Sequence, residues 1–210
     1  MLFNAIMVNQ GGIKKMKNKL LAALLCMLSF NAFAYQITDK MPDKLKSFAD
    51  NLENVSADFK QTKILPESTK RFISNGYVKF VKNVGFTWHQ QKPTPEVFTS
   101  TMTQYCVNGE TKDLNELPYF YRVQSMIDKM LNGDMTDFLF AFNVDYSEYK
   151  DSWTLVATPR LVVLADMVQN LTMYGTTKDL TKVIMTYYDG TIVILEFNRS
   201  KKEIKDEIAC

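Results

Sequence analysis

His89 is the single histidine of the chain, so general-base or zinc chemistry would have to begin with it. A zinc site built on two histidines is excluded by count, and neither CxxC nor HExxH occurs. A serine hydrolase needs a histidine beside its nucleophile, and GxSxG is absent, as are glycine-rich phosphate loops. Glu110, Asp113 and Glu116 form an acidic cluster whose spacing fits a solvated loop. These counts point away from an enzyme, and no metal or cofactor is expected. Replacement of His89 is expected to be silent.

The residues around His89 carry a different signal. The stretch GYVKFVKNVGFTWHQQKP, residues 76–93, has two alternating runs around a turn at Asn83, Val84 and Gly85, the pattern of a hairpin. With a side-chain period of two, one face carries Val78, Phe80 and Lys82 beside Phe86, Trp88 and Gln90. The other carries Tyr77, Lys79, Val81, Thr87, His89 and Gln91, so His89 points away from Trp88. An aromatic face fringed by a lysine and a glutamine fits two roles: an ordinary packed core, which is the commoner case, or the lining of a cavity.

The start of the chain says where that face works. From Met16 the sequence reads MKNKLLAALLCMLSFNAFAYQ: two lysines, an apolar run over residues 20–30, then Ala32-Phe33-Ala34. This is the three-part pattern of a secretory signal with cleavage after Ala34, and initiation at Met16 suits it. The apolar run is short for a permanent membrane span. Cys26 lies inside the run after two leucines, without the small residues that lipid modification favours. Residues 35–210 then form one domain, 176 residues long. Loss of four lysines and no acid takes the formal net charge from +2 to −2, which argues against nucleic acid or an anionic membrane surface as partner. Cys106 and Cys210 remain; in an oxidising compartment they could pair, but a terminal cysteine leaves the geometry open.

Further along, residues 41–52 place Leu45, Phe48, Ala49 and Leu52 at helical spacing behind Pro42 and Asp43. Residues 55–65 alternate as the first strand. The hairpin follows, and residues 96–107, rich in Thr, Val, Phe and Tyr, read as one strand ended by Asn108-Gly109. Phe120, Val123, Ile127, Met130 and Leu131 then recur at three and four after Pro118, with Gly133 at a helix stop. After FLFAF at 138–142, strands are expected at 153–158, 171–174, 183–187 and 191–197, the last two joined by an Asp189-Gly190 turn. Residues 161–168 fit a strand or a short helix. The layout is α+β, a predominantly antiparallel sheet with two or three helices.

The ordered set resembles the LolA-type periplasmic carriers of outer-membrane lipoproteins. It is carried by Gly76-Tyr77-Val78-Lys79-Phe80-Val81-Lys82, by Phe86-Thr87-Trp88 and Pro93, and by the leading helix, Phe59-Lys60-Gln61 and the closing Asp189-Gly190 hairpin. The likeness runs from about residue 45 to 197. It implies an incomplete antiparallel β-barrel, a strongly curved sheet whose concave apolar face is covered by helices, with a cavity between them that takes acyl chains. By position, the family's inward aromatic pair falls on Phe86 and Trp88, and its inward apolar residue after Pro93 falls on Phe98. Val78 and Phe80 join them by parity, and Ile127, Met130 and Leu131 would face the same space from a lid helix. The family's arginine that latches the lid is Lys82 here, a flexible point charge in place of a planar fork of donors. The resemblance also implies a periplasmic monomer, an acylated cargo, an inner-membrane donor transporter complex and an outer-membrane receptor.

Two departures mark a divergent branch: residues 109–119, and the charged ending NRSKKEIKDEIAC with no further strand after Phe197. Such a branch could carry another acylated molecule, such as a glycolipid or a polyene lipid, or act as a sensing domain that binds lipoproteins without moving them.

Overall fold

Alternation of apolar and polar residues governs most of the chain, and the structure, a computed structural model, answers it with one sheet. It describes residues 34–68, 70–101, 103–113, 125–126, 129–130, 132–166, 168–200 and 208, all within the unit Ala34–Cys210. The strands are β1 (Tyr35–Ile37), β2 (Asn54–Ile64), β3 (Arg71–Val81), β4 (Gly85–Lys92), β5 (Glu96–Thr101) and β6 (Gln104–Val107). Then follow β7 (Glu110–Asp113), β8 (Phe142–Tyr149), β9 (Ser152–Pro159), β10 (Val168–Thr176), β11 (Leu180–Tyr187) and β12 (Ile192–Arg199). Their order in space is β1-β8-β9-β10-β11-β12-β2-β3-β4-β5-β6-β7, with every neighbour antiparallel. The sheet is not closed: β1 and β7 stand at opposite ends of that order.

Three helices have described bounds: α1 (Asp43–Asp50), α2 (Thr136–Ala141) and α3 (Val162–Ala165). In α1 the stripe read from the sequence is the buried one, with Leu45, Phe48 and Ala49 turned inward and the Lys46 N–H bonded to the Pro42 carbonyl at 2.8 Å. Phe48 lies 5.3 Å from the Trp153 ring, which seats α1 against the sheet. Around them Phe138, Phe142, Val144, Tyr146, Leu155 and Ala157 are buried, each large apolar side chain contributing about 1.5–3 kcal/mol to stability. Trp153 lies opposite Gly175, where a Cβ would sit 2.3 Å from the indole; the missing side chain is what admits the ring.

Several expectations change. Residues 96–107 are two strands, because Thr101 turns the chain: its Oγ1 accepts from the Gln104 N–H at 3.2 Å and donates to the Gln104 carbonyl at 3.1 Å. Glu110 and Asp113, expected on a loop, belong to β7, which pairs with β6 across the Asn108-Gly109 turn. β1 and β8 were not expected as strands. The ambiguous residues 161–168 divide between α3 and the start of β10. Ser125, Met126, Lys129 and Met130 are helical, and the Gly133 N–H bonds to the Met130 carbonyl at 3.0 Å with φ +91° at the glycine. The rest of the expected lid helix, including Ile127 and Leu131, lies outside the described residues, as do residues 1–33, Glu116 and Cys210.

Candidate functional site: an aromatic strip on the core face

Strand register assembles the site row by row. Across β2 to β6 one row reads Ala57, Val78, Trp88, Phe98, Val107, and the next reads Val55, Phe80, Phe86, Ser100, Tyr105. Because antiparallel partners project to the same side, both rows lie on the face that also carries Phe59, Leu155 and Trp153. Five of the residues singled out from the sequence, Val78, Phe80, Phe86, Trp88 and Phe98, are therefore direct cross-strand neighbours. Beyond the first row come Phe59, Gly76, Gln90 and Glu96, and beyond these the Gln61 amide donates to Ser74 Oγ at 3.2 Å, so the strip passes into a polar margin.

The rings touch. Phe59 stacks on Trp88 with centroids 3.7 Å apart and planes 24° from parallel. Phe98 lies 5.7 Å from Phe86 and 6.0 Å from Tyr105. Phe59 and Trp88 sit on strands separated by β3, and they meet because Phe59 is paired with Gly76, which puts no side chain between them. Phe59 was not among the expected lining residues; its place follows from the β2–β3 register, which the sequence does not print.

Burial divides this face in two. Over β8 and β9, Val144, Tyr146, Leu155 and Ala157 are fully enclosed at 0% exposure. Val78, Phe86, Trp88 and Phe98 are only half-buried and stand outside the core cluster, whereas Phe80 packs against it. Met130 is a buried member of that cluster with Met126 and Met135.

Lys82 follows the end of β3, in the turn before β4. Its N–H bonds to the Glu53 carbonyl at 2.8 Å, and its charge reaches Asp50 at the end of α1. The Asp50 carboxyl is held below its ordinary range first by the hydrogen bond from Lys46, with Lys82 a smaller influence. Lys82 thus stands beside the last turn of α1, at one end of the strip, as Gln90 stands at the other.

The remaining polar features lie elsewhere. His89 is on the opposite face, its Nδ1 2.6 Å from the Tyr77 hydroxyl. Among the described residues no group of three or more histidine, cysteine or acidic side chains could hold a metal. A cavity of about 580 Å³ includes Lys60, Tyr174, Lys182 and Glu196 in its lining, where Lys60 pairs with Glu196 at 3.9 Å and Lys182 lies over the Tyr174 ring at 5.5 Å. Lys60, Glu196, Lys182 and Tyr174 share one cross-strand row on the face opposite the aromatic strip. No described helix is long and apolar enough to cross a membrane.

No family model matches the chain, and no curated protein matches it. Among solved structures it is similar to a LolA superfamily protein from Nitrosomonas europaea, at 9% identity and a TM-score of 0.43, over 80% of this chain and 96% of the other. It is also similar to a domain described as an outer membrane lipoprotein-sorting protein domain from Vibrio parahaemolyticus, at 8% identity and a TM-score of 0.36, over 79% and 94% of the two chains. At these identities and scores the likenesses carry no functional inference for this chain.

Proposed function

We propose that the protein is a periplasmic carrier that holds the acyl chains of lipoproteins against the Phe59, Phe86, Trp88 and Phe98 strip and moves them from the inner to the outer membrane. The supporting observation is the half-burial of Phe86, Trp88 and Phe98, with the buried Phe59 stacked on Trp88, on a face that elsewhere encloses Val144, Tyr146, Leu155 and Ala157 completely. Aromatic side chains that could complete a core are instead left with free surface, in contact with one another, which is what an apolar ligand needs. In this reading the sheet is an incomplete barrel, the helix containing Met130 with Ile127 and Leu131 is its lid, and Lys82 is the latch. The donor is an inner-membrane transporter complex and the acceptor an outer-membrane receptor.

Magnitude explains the partial burial. Each methylene taken from water contributes about 0.8 kcal/mol, so a sixteen-carbon chain would gain on the order of 12 kcal/mol if fully enclosed. Cargo held so tightly would not leave. A strip that buries chains in part, or that first has to give up lid contacts, offsets most of that gain and keeps transfer reversible.

The test is native mass spectrometry of the protein purified from its own compartment, followed by lipid extraction. The expected result is a bound acylated species, lost or strongly reduced in Trp88→Glu; a glycolipid or free lipid in its place would reassign the cargo. An unliganded mass, with no uptake of added acyl ligand, would mean that the strip is core and the carrier reading is wrong. A bound lipoprotein that is never passed to acceptor membranes would identify a sensor rather than a carrier.

A further inference from the structure

Exposed apolar side chains crowd one end of the sheet. Ten large ones stand exposed among the described residues, and seven of these gather where four connections leave the strands. Register fixes that end. Asn170, Thr186, Ile192, Ile64 and Arg71 form one transverse row, and Val144, Ala157, Leu171 and Met185 run in the next. Beyond them lie the β2–β3 and β11–β12 turns, α3 between β9 and β10, and the end of α2 before β8. We propose that this end is a membrane-docking rim, whose exposed side chains enter the interfacial layer of a lipid bilayer.

α3 carries the most exposed part. Leu161 leads into it, and Val162 and Val163 are 73% and 49% exposed. The Ala165 and Asp166 N–H groups bond to the Leu161 and Val162 carbonyls at 2.9 and 2.8 Å, so the backbone is satisfied while the valines stay out. The Arg160 N–H bonds to the Ala141 carbonyl at 2.8 Å, and its guanidinium donates to the Leu139 carbonyl at 3.0 Å. Those bonds set Phe140, 69% exposed, beside α3. Further along the rim, Phe72 and Ile73 stand at the start of β3. Tyr188 is in the β11–β12 turn, where a Cβ on Gly190 would lie 3.1 Å from Pro66 of the β2–β3 turn.

This chemistry selects a bilayer over a protein partner. The seven side chains come from separate turns and short helices, not from the single helix face or strand edge that seats a peptide. A fluid interface accepts that scatter. Aliphatic and phenylalanine tips that reach past the headgroups, with tyrosine and basic side chains at headgroup level, have the composition of an interfacial anchor. The β2–β3 hairpin tip adds Lys63, Lys70 and Arg71 against Glu67 alone, and long basic side chains bury their stems while offering cations to lipid phosphates. Asp189 in the next turn is engaged internally, accepting from the Thr191 N–H at 2.8 Å and the Thr191 hydroxyl at 3.0 Å. Beside α3, Arg160 and Asp166 balance each other in charge.

The rim also adjoins the aromatic strip. Phe72 pairs with Lys63 on the strip's own face, in the row beyond Gln61 and Ser74. Cargo leaving past that polar margin would meet the bilayer directly; this last step rests on the carrier reading, whereas docking itself does not.

The experiment is flotation of the unit Ala34–Cys210, which omits the apolar leader run, with vesicles of phosphatidylcholine alone and with added phosphatidylglycerol. No acyl cargo is supplied, so failure of the carrier reading leaves the result intact. The protein is expected to rise with both vesicles. Val162→Asp with Phe140→Ser should cut the bound fraction about tenfold, because both side chains lose their place in the apolar layer. Tyr149→Ser, at the opposite end of β8, should leave it unchanged. Phosphatidylglycerol should strengthen binding about threefold, and Lys70→Glu should remove that gain. The substituted side chains are exposed, and an unchanged thermal melt checks that the fold is kept. Absence of flotation, or an equal loss in Tyr149→Ser, would overturn the proposal. So would a concentration-dependent dimer, abolished by Val162→Asp, in a protein that does not float, since the rim would then serve self-association. Flotation lost in Trp88→Glu but kept in Val162→Asp with Phe140→Ser would mean that the strip holds vesicle lipid, and would overturn docking at the rim.

Discussion

Trp88 and Phe59 bind the site to the fold, since the same contact builds the strip and ties β2 to β4. A stacked aromatic pair is worth about 0.5–1.5 kcal/mol beyond its buried area. A double-mutant cycle on Phe59→Leu and Trp88→Leu, followed by urea unfolding, is expected to return a coupling in that range; additive losses would show that the rings are neighbours without mutual stabilisation. Gly76 controls the same contact from between them. A Cβ there would sit 1.9 Å from the His89 carbonyl oxygen, a backbone atom that cannot swing aside. Gly76→Ala should therefore cost about 1–3 kcal/mol, as other overpacked positions do. In a Trp153→Phe background it should also shift Trp88 emission to the red as Phe59 is displaced. A change in stability with unaltered emission would mean that the strand moves and the stack survives.

Between elements, the contact that fixes α1 to the sheet is polar as well as apolar. Glu148 on β8 accepts the Tyr146 hydroxyl at 2.8 Å and faces Lys44 Nζ of α1 at 2.9 Å, while Lys44 also donates to the Lys150 carbonyl. Burial works to raise the Glu148 pKa, but the hydrogen bonds from Lys44 and Tyr146 outweigh it and hold the carboxyl below its ordinary value. Burial first, and then the carboxylate, push the Tyr146 hydroxyl well above its ordinary pKa, so it stays a donor. A depressed carboxylate stabilises the fold fully above the unfolded pKa, about 4.3 for a glutamate, and loses that contribution as the pH falls through the folded value. Melting temperature should thus fall more steeply in wild type than in Glu148→Gln from about pH 5 downward; parallel curves would show that other carboxylates govern the acid limb. This pair also shows what the sequence left unread. Helix α1, the hairpin of β3 and β4 and the Asp189-Gly190 turn were legible because each is local: an apolar stripe, an alternation, a turn dipeptide. β8 was not, although Phe142, Val144 and Tyr146 alternate, because the apolar run before it belongs to a helix and no turn residue marks the change at Phe142. The single strand read over residues 96–107 failed for the opposite reason. Thr101 makes its turn with a hydroxyl, and threonine is otherwise a strand former. The parity that aligned Phe86 and Trp88 with Val78 and Phe80 held because it needs only one hairpin; Phe59 needed a register set by the whole sheet.

Across the whole molecule, one continuous sheet carries two unlike halves. On β8 and β9 the core face is sealed by Trp153, Leu155 and Tyr146 with α1 packed on it, whereas from β3 to β5 the same face keeps half-buried rings. Opening free energy follows buried contacts, so the first half should exchange its amides only with global unfolding and the second by smaller, local openings. Hydrogen exchange is expected to be slow in β8, β9 and β10 and measurably faster in β4 and β5. Saturation with an acyl ligand should slow β4 and β5 alone, since a ligand that fills the strip adds contacts only where they are missing. Protection gained evenly along the sheet would instead mean that ligand binds a surface common to both halves or stabilises the fold globally. No change at all, with ligand present well above its measured affinity, would place the binding surface off the aromatic strip. If the proposed carrier reading holds, the rigid half would hold register and the softer half would admit cargo. The antiparallel sheet supplies both without a domain boundary, because each strand is secured to its neighbours by backbone hydrogen bonds that do not depend on how completely the side chains above them are packed.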